Sequence, residues 1–123
     1  MKLPKTILIV EDNALNMKMF NDLLQAHGYK TLQSIDGGDV LELVKEHRPD
    51  LIVMDIQLPE TSGLELTQML KADDGMKHIP VLAVTAFAMR GNKKTIFEAG
   101  CDDYIAKPIS ISILLGKIVN LLP

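Results

Sequence analysis

The sequence predicts an α/β domain built on a doubly wound parallel sheet, and three observations carry that expectation. Continuous apolar runs recur at 7–10, 51–54 and 81–84. They lack the alternation of a half-exposed sheet, as parallel strands covered on both faces require. Helix-length segments with apolar residues three and four apart separate these runs. Each run also ends in a residue able to do chemistry: Glu11-Asp12, Asp55, Thr85 and, after the shorter run 104–106, Lys107. Strands alternating with helices wind into one sheet through right-handed crossovers. Such sheets hold their ligands in the crevice past the carboxyl ends of the strands.

In chain order, a strand over 6–10 is followed by a helix over 13–26, capped by Asn13 and stopped by His27-Gly28. Met19, Phe20, Leu23 and Leu24 gather on one flank of that helix, which is expected to be buried. Leu15 falls well off this flank, one step from the acidic pair, and reads either as a lone exposed leucine, which is normal, or as a docking contact beside the site. A short edge strand over 29–34 precedes Asp36-Gly37-Gly38, a turn into a helix over 39–46 closed by Pro49. The central strand 51–55 meets a bend at Leu58-Pro59, and Ser62 and Glu65 form a capping box for a helix over 63–71. After the strand ending at Thr85, Gly91-Asn92 should loosen a helix start that firms up over 93–99. The last helix is capped by Ser110. Ile111, Leu114, Leu115, Ile118 and Leu122 are expected on its inner face, with Ile113 opposite and Leu121 toward the edge.

Composition narrows the function. The 123 residues are 47% apolar and 24% charged, with a net charge of −3, enough for one domain with a real core over 1–123. A mildly acidic chain without a basic stripe argues against nucleic acid as partner. No run approaches the ~20 apolar residues of a membrane helix. The single cysteine, Cys101, excludes an internal disulfide, fits a reducing cytoplasm and reads as a small buried hydrophobe. The three histidines have no ligand spacing, Gly37-Gly38 is followed by no phosphate-loop lysine, and Asp73-Asp74-Gly75 lacks the calcium-loop pattern.

What remains is the set of strand ends. Glu11, Asp12 and Asp55 would repel one another unless a cation sat among them. Mg²⁺ takes one or two carboxylates, keeps waters and accepts phosphate oxygens. Asp55, in the central position, reads as a nucleophile that takes a phosphoryl group as an acyl phosphate. Thr85 would donate to a phosphoryl oxygen and Lys107 neutralise another, since phosphoryl transfer rests on positioning and charge. Water reaching such an intermediate would pass the side chains of Gln57 and Phe87. Tyr104, three residues before Lys107, together with exposed Ile113 and Leu121, marks a face able to change when the site is loaded.

Glu11-Asp12, Asp55, Thr85-Ala86, Tyr104 and Lys107-Pro108 together resemble the receiver domain of bacterial two-component response regulators. The resemblance spans nearly the whole chain. It implies a flavodoxin-like, CheY-like fold with strand order 2-1-3-4-5, no output domain, and phosphoryl transfer to Asp55 from a phosphohistidine. It also implies Mg²⁺ held by Glu11, Asp12, Asp55 and the backbone carbonyl of Gln57, and a cis Lys107–Pro108 bond. More narrowly, the segments 10–18, 54–59 and 79–89 look like DivK-type single-domain regulators of cell-cycle and polarity control. That implies a cytoplasmic monomer or weak dimer, with a histidine kinase or phosphotransfer protein as donor and histidine kinases as output partners. The chain departs from the family's pattern at Val40, where alanine is common, and at Ile109, where an aromatic is common. Three other readings fit the residues less well. A haloacid-dehalogenase-like phosphatase needs a second aspartate two residues on, where Gln57 stands. A flavodoxin-like cofactor binder needs a phosphate loop after strand one. A pseudo-receiver scaffold would not need the intact acid, threonine and lysine set.

Overall fold

The computed structural model describes residues 4–58, 61–86 and 92–122. Strands and helices alternate strictly: β1 Thr6–Val10, α1 Ala14–Ala26, β2 Lys30–Ser34, α2 Val40–His47, β3 Leu51–Asp55, α3 Gly63–Ala72, β4 Val81–Thr85, α4 Asn92–Glu98, β5 Asp103–Ala106 and α5 Ile111–Leu121. The sheet is parallel throughout with order β2-β1-β3-β4-β5, as the family resemblance implied. The chain steps outward from β1 to β2, then crosses back past β1 to β3. The reversal therefore falls between β1 and β3, where such sheets open a crevice.

Each central strand feeds two apolar layers because successive side chains point to opposite faces. Leu8, Val10, Ile52 and Met54 pack with Val40, Val44, Leu66, Leu70 and Ile96 under α2, α3 and α4. Ile7, Ile9, Leu51 and Val53 pack with Met17, Phe20, Leu24, Leu114 and Ile118 under α1 and α5. β3 is buried along its whole length. Each such aliphatic side chain contributes about 1.5–3 kcal/mol, so the strand that carries Asp55 is among the most firmly held in the molecule.

Local chemistry sets the helix starts. The side chains of Asn13, Ser62 and Ser110 accept from the N–H groups of Asn16, Glu65 and Ile113, as the capping patterns predict. Gly28 takes a φ of +88°, which ends α1 at little steric cost. Gly63 is needed for a different reason. A Cβ there would lie 2.6 Å from both the Asp55 carbonyl oxygen and the Ile56 Cα, so only glycine lets α3 seat directly against the end of β3.

The differences from expectation are small and physical. β2 begins at Lys30, with Tyr29 turned into the α1–α5 layer. α2 begins after Asp39, whose carboxylate accepts from the Ser34 hydroxyl instead of capping the helix. Met17 joins the buried flank of α1. Ile111, expected inside, is 51% exposed. It is the first residue of α5, and side chains there tilt back past the helix end, away from the core. Leu121, expected to leave apolar surface bare, packs partly buried against the α1–α5 layer, whereas Ile113 is 52% exposed as expected and Val119 is exposed as well. Cys101 is buried, with its Sγ donating to the Thr67 hydroxyl at 3.8 Å.

Candidate functional site

Register brings the chemistry together. Val10 pairs with Met54, so Glu11, just beyond β1, stands beside Asp55 at the end of β3. Asp55 pairs with Val84, which puts Thr85 one step farther along the neighbouring strand. Thr85 in turn pairs with Ala106, and the Lys107 N–H donates to the Thr85 carbonyl at 2.8 Å, so Lys107 enters over the same edge. The Lys107–Pro108 peptide is cis, as the resemblance implied. Four strand ends thus deliver three carboxylates, a hydroxyl and an ammonium to one place.

Within this cluster Asp55 is anchored at both oxygens. Oδ1 accepts from the Gln57 N–H at 2.8 Å and Oδ2 from Lys107 Nζ at 3.3 Å. Its side chain is held at the floor, with the residue only 2% exposed. Glu11 is 1% exposed, and its nearest cation is Lys107 Nζ at 3.5 Å. Neither of its carboxylate oxygens has a hydrogen-bond partner among the described residues. Asp12 is exposed at the rim. Carboxylate oxygens of Glu11, Asp12 and Asp55 all lie within 4.8 Å of one another.

Electrostatics separate the two buried acids. Burial, with the Asp55 carboxylate beside it, pushes the Glu11 carboxyl up from 4.5 to about 7. Burial also works to raise Asp55. The Gln57 N–H and the Lys107 ammonium outweigh it and hold Asp55 below the usual carboxylate range. Burial acts against the Lys107 charge, and the two carboxylates more than offset it, so its pKa is raised. Asp55 is therefore an anion at neutral pH, and Glu11 shares the site as an acid close to its titration point.

The other predicted residues fall around this floor. Leu15 is 79% exposed on the first turn of α1. A groove of about 430 Å³, without Leu15 in its lining, runs from Glu11 and Asp12 along Lys18, Asn21 and Asp22 to the exposed Ile35. Tyr104 is half-buried and meets Phe97 edge-on with ring centroids 6.0 Å apart. The ammonium groups of Lys93 and Lys117 each stand 5.9 Å from its ring centre. Tyr104, Pro108, Ile113 and Lys117 share a shallow hollow of about 220 Å³. Phe87 lies outside the described residues. Sequence reasoning missed the two lysines flanking Tyr104 and the side-chain bond of Gln57. Its Oε1 accepts from the Ala86 N–H at 2.9 Å, bridging the ends of β3 and β4. Helical spacing could have suggested Lys93 as a neighbour of Phe97, whereas nothing in the sequence marks the Gln57 bridge.

A parallel sheet in this order, with its acids gathered where the winding reverses, is the architecture of response regulator receivers. The chain belongs to the response regulator receiver domain family, which it matches over residues 7–119. It is 56% identical over 120 residues to the polar-differentiation response regulator DivK of Brucella anthropi, covering 98% of each chain. It is 54% identical over 118 residues to DivK of Brucella ovis, covering 96% of each. Among solved structures it is similar to the receiver domain of the sensor histidine kinase PA1611 of Pseudomonas aeruginosa, with a TM-score of 0.88 and 30% identity over 96% of this chain and 97% of that one. That structure carries a magnesium ion coordinated in its active site cleft. Chemotaxis protein CheY4 of Vibrio cholerae matches with a TM-score of 0.91 and 24% identity over 97% and 99% of the two chains, a likeness of fold. The protein is thus a receiver of DivK type and a signalling domain rather than a dedicated enzyme.

Proposed function

We propose that Asp55 is the phosphoacceptor of a phosphorelay, taking its phosphoryl group from a phosphohistidine with Mg²⁺ in the acidic cleft. The observation that carries the reading is the pair of buried acids: an anionic Asp55 anchored at both oxygens, beside a Glu11 whose two oxygens lack hydrogen-bond partners among the described residues. Buried polar atoms are normally satisfied, so a carboxylate of this kind fits a cation-binding role. Glu11, Asp12 and Asp55, with the Gln57 carbonyl, would hold Mg²⁺; the similar PA1611 receiver has a magnesium ion coordinated in its active site cleft. The ion supplies neutralisation of the carboxylates and of the phosphoryl oxygens.

The chain's own residues do the rest. An Asp55 oxygen forms the new O–P bond as the P–N bond to the donor imidazole breaks. The bonding pair stays on the imidazole nitrogen, and Asp55 becomes an acyl phosphate. Lys107 is charged and close enough to follow the phosphoryl oxygens, and Thr85 stands one register step away to donate its hydroxyl. Slow hydrolysis returns the carboxylate. Exposed Leu15 and the groove along α1 would seat the helix that carries the donor histidine.

Output follows from the far edge. Thr85, drawn toward the phosphoryl group, would leave space for Tyr104 and change the hollow it shares with Pro108, Ile113 and Lys117. Moving a 1:99 equilibrium to 99:1 takes ~5.5 kcal/mol, within reach of a few charge-assisted hydrogen bonds. We extend to this chain the polar-differentiation role of its DivK relatives. A histidine kinase is the donor and a kinase under allosteric control the output partner, in the cytoplasm.

Incubation with acetyl phosphate and Mg²⁺ should label one site, and Asp55→Asn should abolish the label. Phosphate retained in that variant by mass spectrometry would sink the assignment. The output reading predicts tighter binding of the phosphorylated protein to its kinase, and weaker binding for Tyr104→Ala. Equal affinity of the two phosphorylation states would end it.

A further inference from the structure

The Gln57 side chain makes a contact that the phosphoacceptor reading does not use. Gln57 stands two residues past Asp55 and touches the site twice. Its backbone N–H donates to Asp55 Oδ1 at 2.8 Å, and its side-chain Oε1 accepts from the Ala86 N–H at 2.9 Å. The β3–β4 ladder has just run out at that point: Ile56 N–H donates to the Val84 carbonyl at 3.1 Å, and Ala86 lies one step beyond. A side chain, not a strand carbonyl, therefore closes the last gap between the two strand ends that frame Asp55.

We propose that the Gln57 carboxamide is a latch that holds the Ala86 N–H while Asp55 is unmodified and gives it up when a phosphoryl group arrives. The inference rests on Asp55 being the acceptor. A phosphoryl group there brings three strong acceptor oxygens to the strand end where the Lys107 ammonium meets Asp55 and, just past the Ile56–Val84 rung, the Ala86 N–H meets Gln57. Bonds to charged acceptors are roughly twice as strong as neutral ones, so the N–H leaves a neutral carboxamide for a phosphoryl oxygen. The freed side chain then swings out of the cleft mouth. Gln57 is in this sense a positioning residue. It keeps β3 and β4 joined at rest, and it opposes phosphorylation because its bond must break before Ala86 can serve the product.

Three proteins test this: wild type, Gln57→Met, which keeps the length but offers no comparable acceptor, and Gln57→Glu, which keeps an acceptor at the same reach. In metal-free, unphosphorylated protein, amide exchange followed by NMR should show the Ala86 N–H protected in wild type and Gln57→Glu. In Gln57→Met it should exchange roughly 3- to 10-fold faster, the worth of one hydrogen bond. With acetyl phosphate and Mg²⁺, where the P–O bond breaks and acetate leaves with the pair, the initial labelling rate of Gln57→Met should exceed wild type by a similar factor. Unchanged Ala86 exchange in Gln57→Met, or labelling no faster than wild type, overturns the latch. If wild type takes no phosphate on Asp55, the acceptor reading fails and phosphoryl release fails with it. If wild type is labelled and Gln57→Met matches it, the latch alone is lost.

Discussion

The two ends of the sheet treat charge in opposite ways. At the amino ends of the strands, polar groups are satisfied. Lys71 Nζ donates to the carbonyls of Lys77 and Ile79 at 3.2 and 2.8 Å and to Asp102 Oδ2 at 2.9 Å. The same Asp102 oxygen accepts from the Val81 N–H at 2.8 Å, and Asp50 accepts from the Thr6 N–H at 2.8 Å. Gly100 leaves room for the lysine stem, since a Cβ there would lie 2.7 Å from Lys71 Cγ. At the carboxyl ends, two acids share a buried floor, one lysine stands 3.3 and 3.5 Å from them, and Glu11 has no hydrogen bond among the described residues. Satisfied groups fasten loops and stabilise; unsatisfied ones store a cost that a ligand can relieve. The first end holds the fold, and the second is left ready for a cation and an anion.

The sharpest way to break this contrast is at the fastened end. Lys71→Met strips three acceptors at once and should lower unfolding stability by about 2–3 kcal/mol in urea titration. Once folded, it should still accept phosphate from acetyl phosphate at the wild-type rate. A stable variant would mean that the amino-end network does not carry the fold.

At the ready end the effect should be smaller and of opposite sign. Between pH 4.5 and about 7 the folded protein keeps the Glu11 proton that the unfolded chain has lost. Stability of the metal-free protein therefore falls as pH rises across that window. Asp55, held low, gives stability above its unfolded value and loses it only as pH falls below the carboxylate range, so the two windows do not overlap. Glu11→Gln removes the first slope. In EDTA it should be more stable than wild type at pH 8, on the order of 2 kcal/mol, with little difference at pH 4.5. Its Mg²⁺ affinity should fall. Parallel pH profiles for the two proteins would show that Glu11 carries no stored cost.

The smallest effect on stability belongs to the rim. Leu15→Ala should leave unfolding within about 0.5 kcal/mol of wild type, because its side chain is bare. It should slow transfer from a phosphohistidine donor roughly 3- to 10-fold, as for one interface contact of ordinary weight, while acetyl phosphate labelling stays the same. Equal loss in both reactions would make Leu15 structural.

Much of this was legible from residue order alone. The runs at 7–10, 51–54 and 81–84 fix the central strands because only a doubly covered parallel strand has no polar face. The residues that follow them fix the chemistry, because a strand's end is where its next side chain leaves the core. Caps at Asn13, Ser62 and Ser110 are local, set by bonds spanning three residues, and so could be read from neighbours. Tertiary structure alone decided what depends on residues far apart in sequence. The register of β1 on β3 places Glu11 against Asp55 across more than forty positions, and their unequal proton affinities exist only in that shared burial. The lysines beside Tyr104 and the Gln57–Ala86 bridge have the same origin. Periodicity states which face of an element is apolar; which partner meets it, and which polar atom is left without one, is settled only when the layers close.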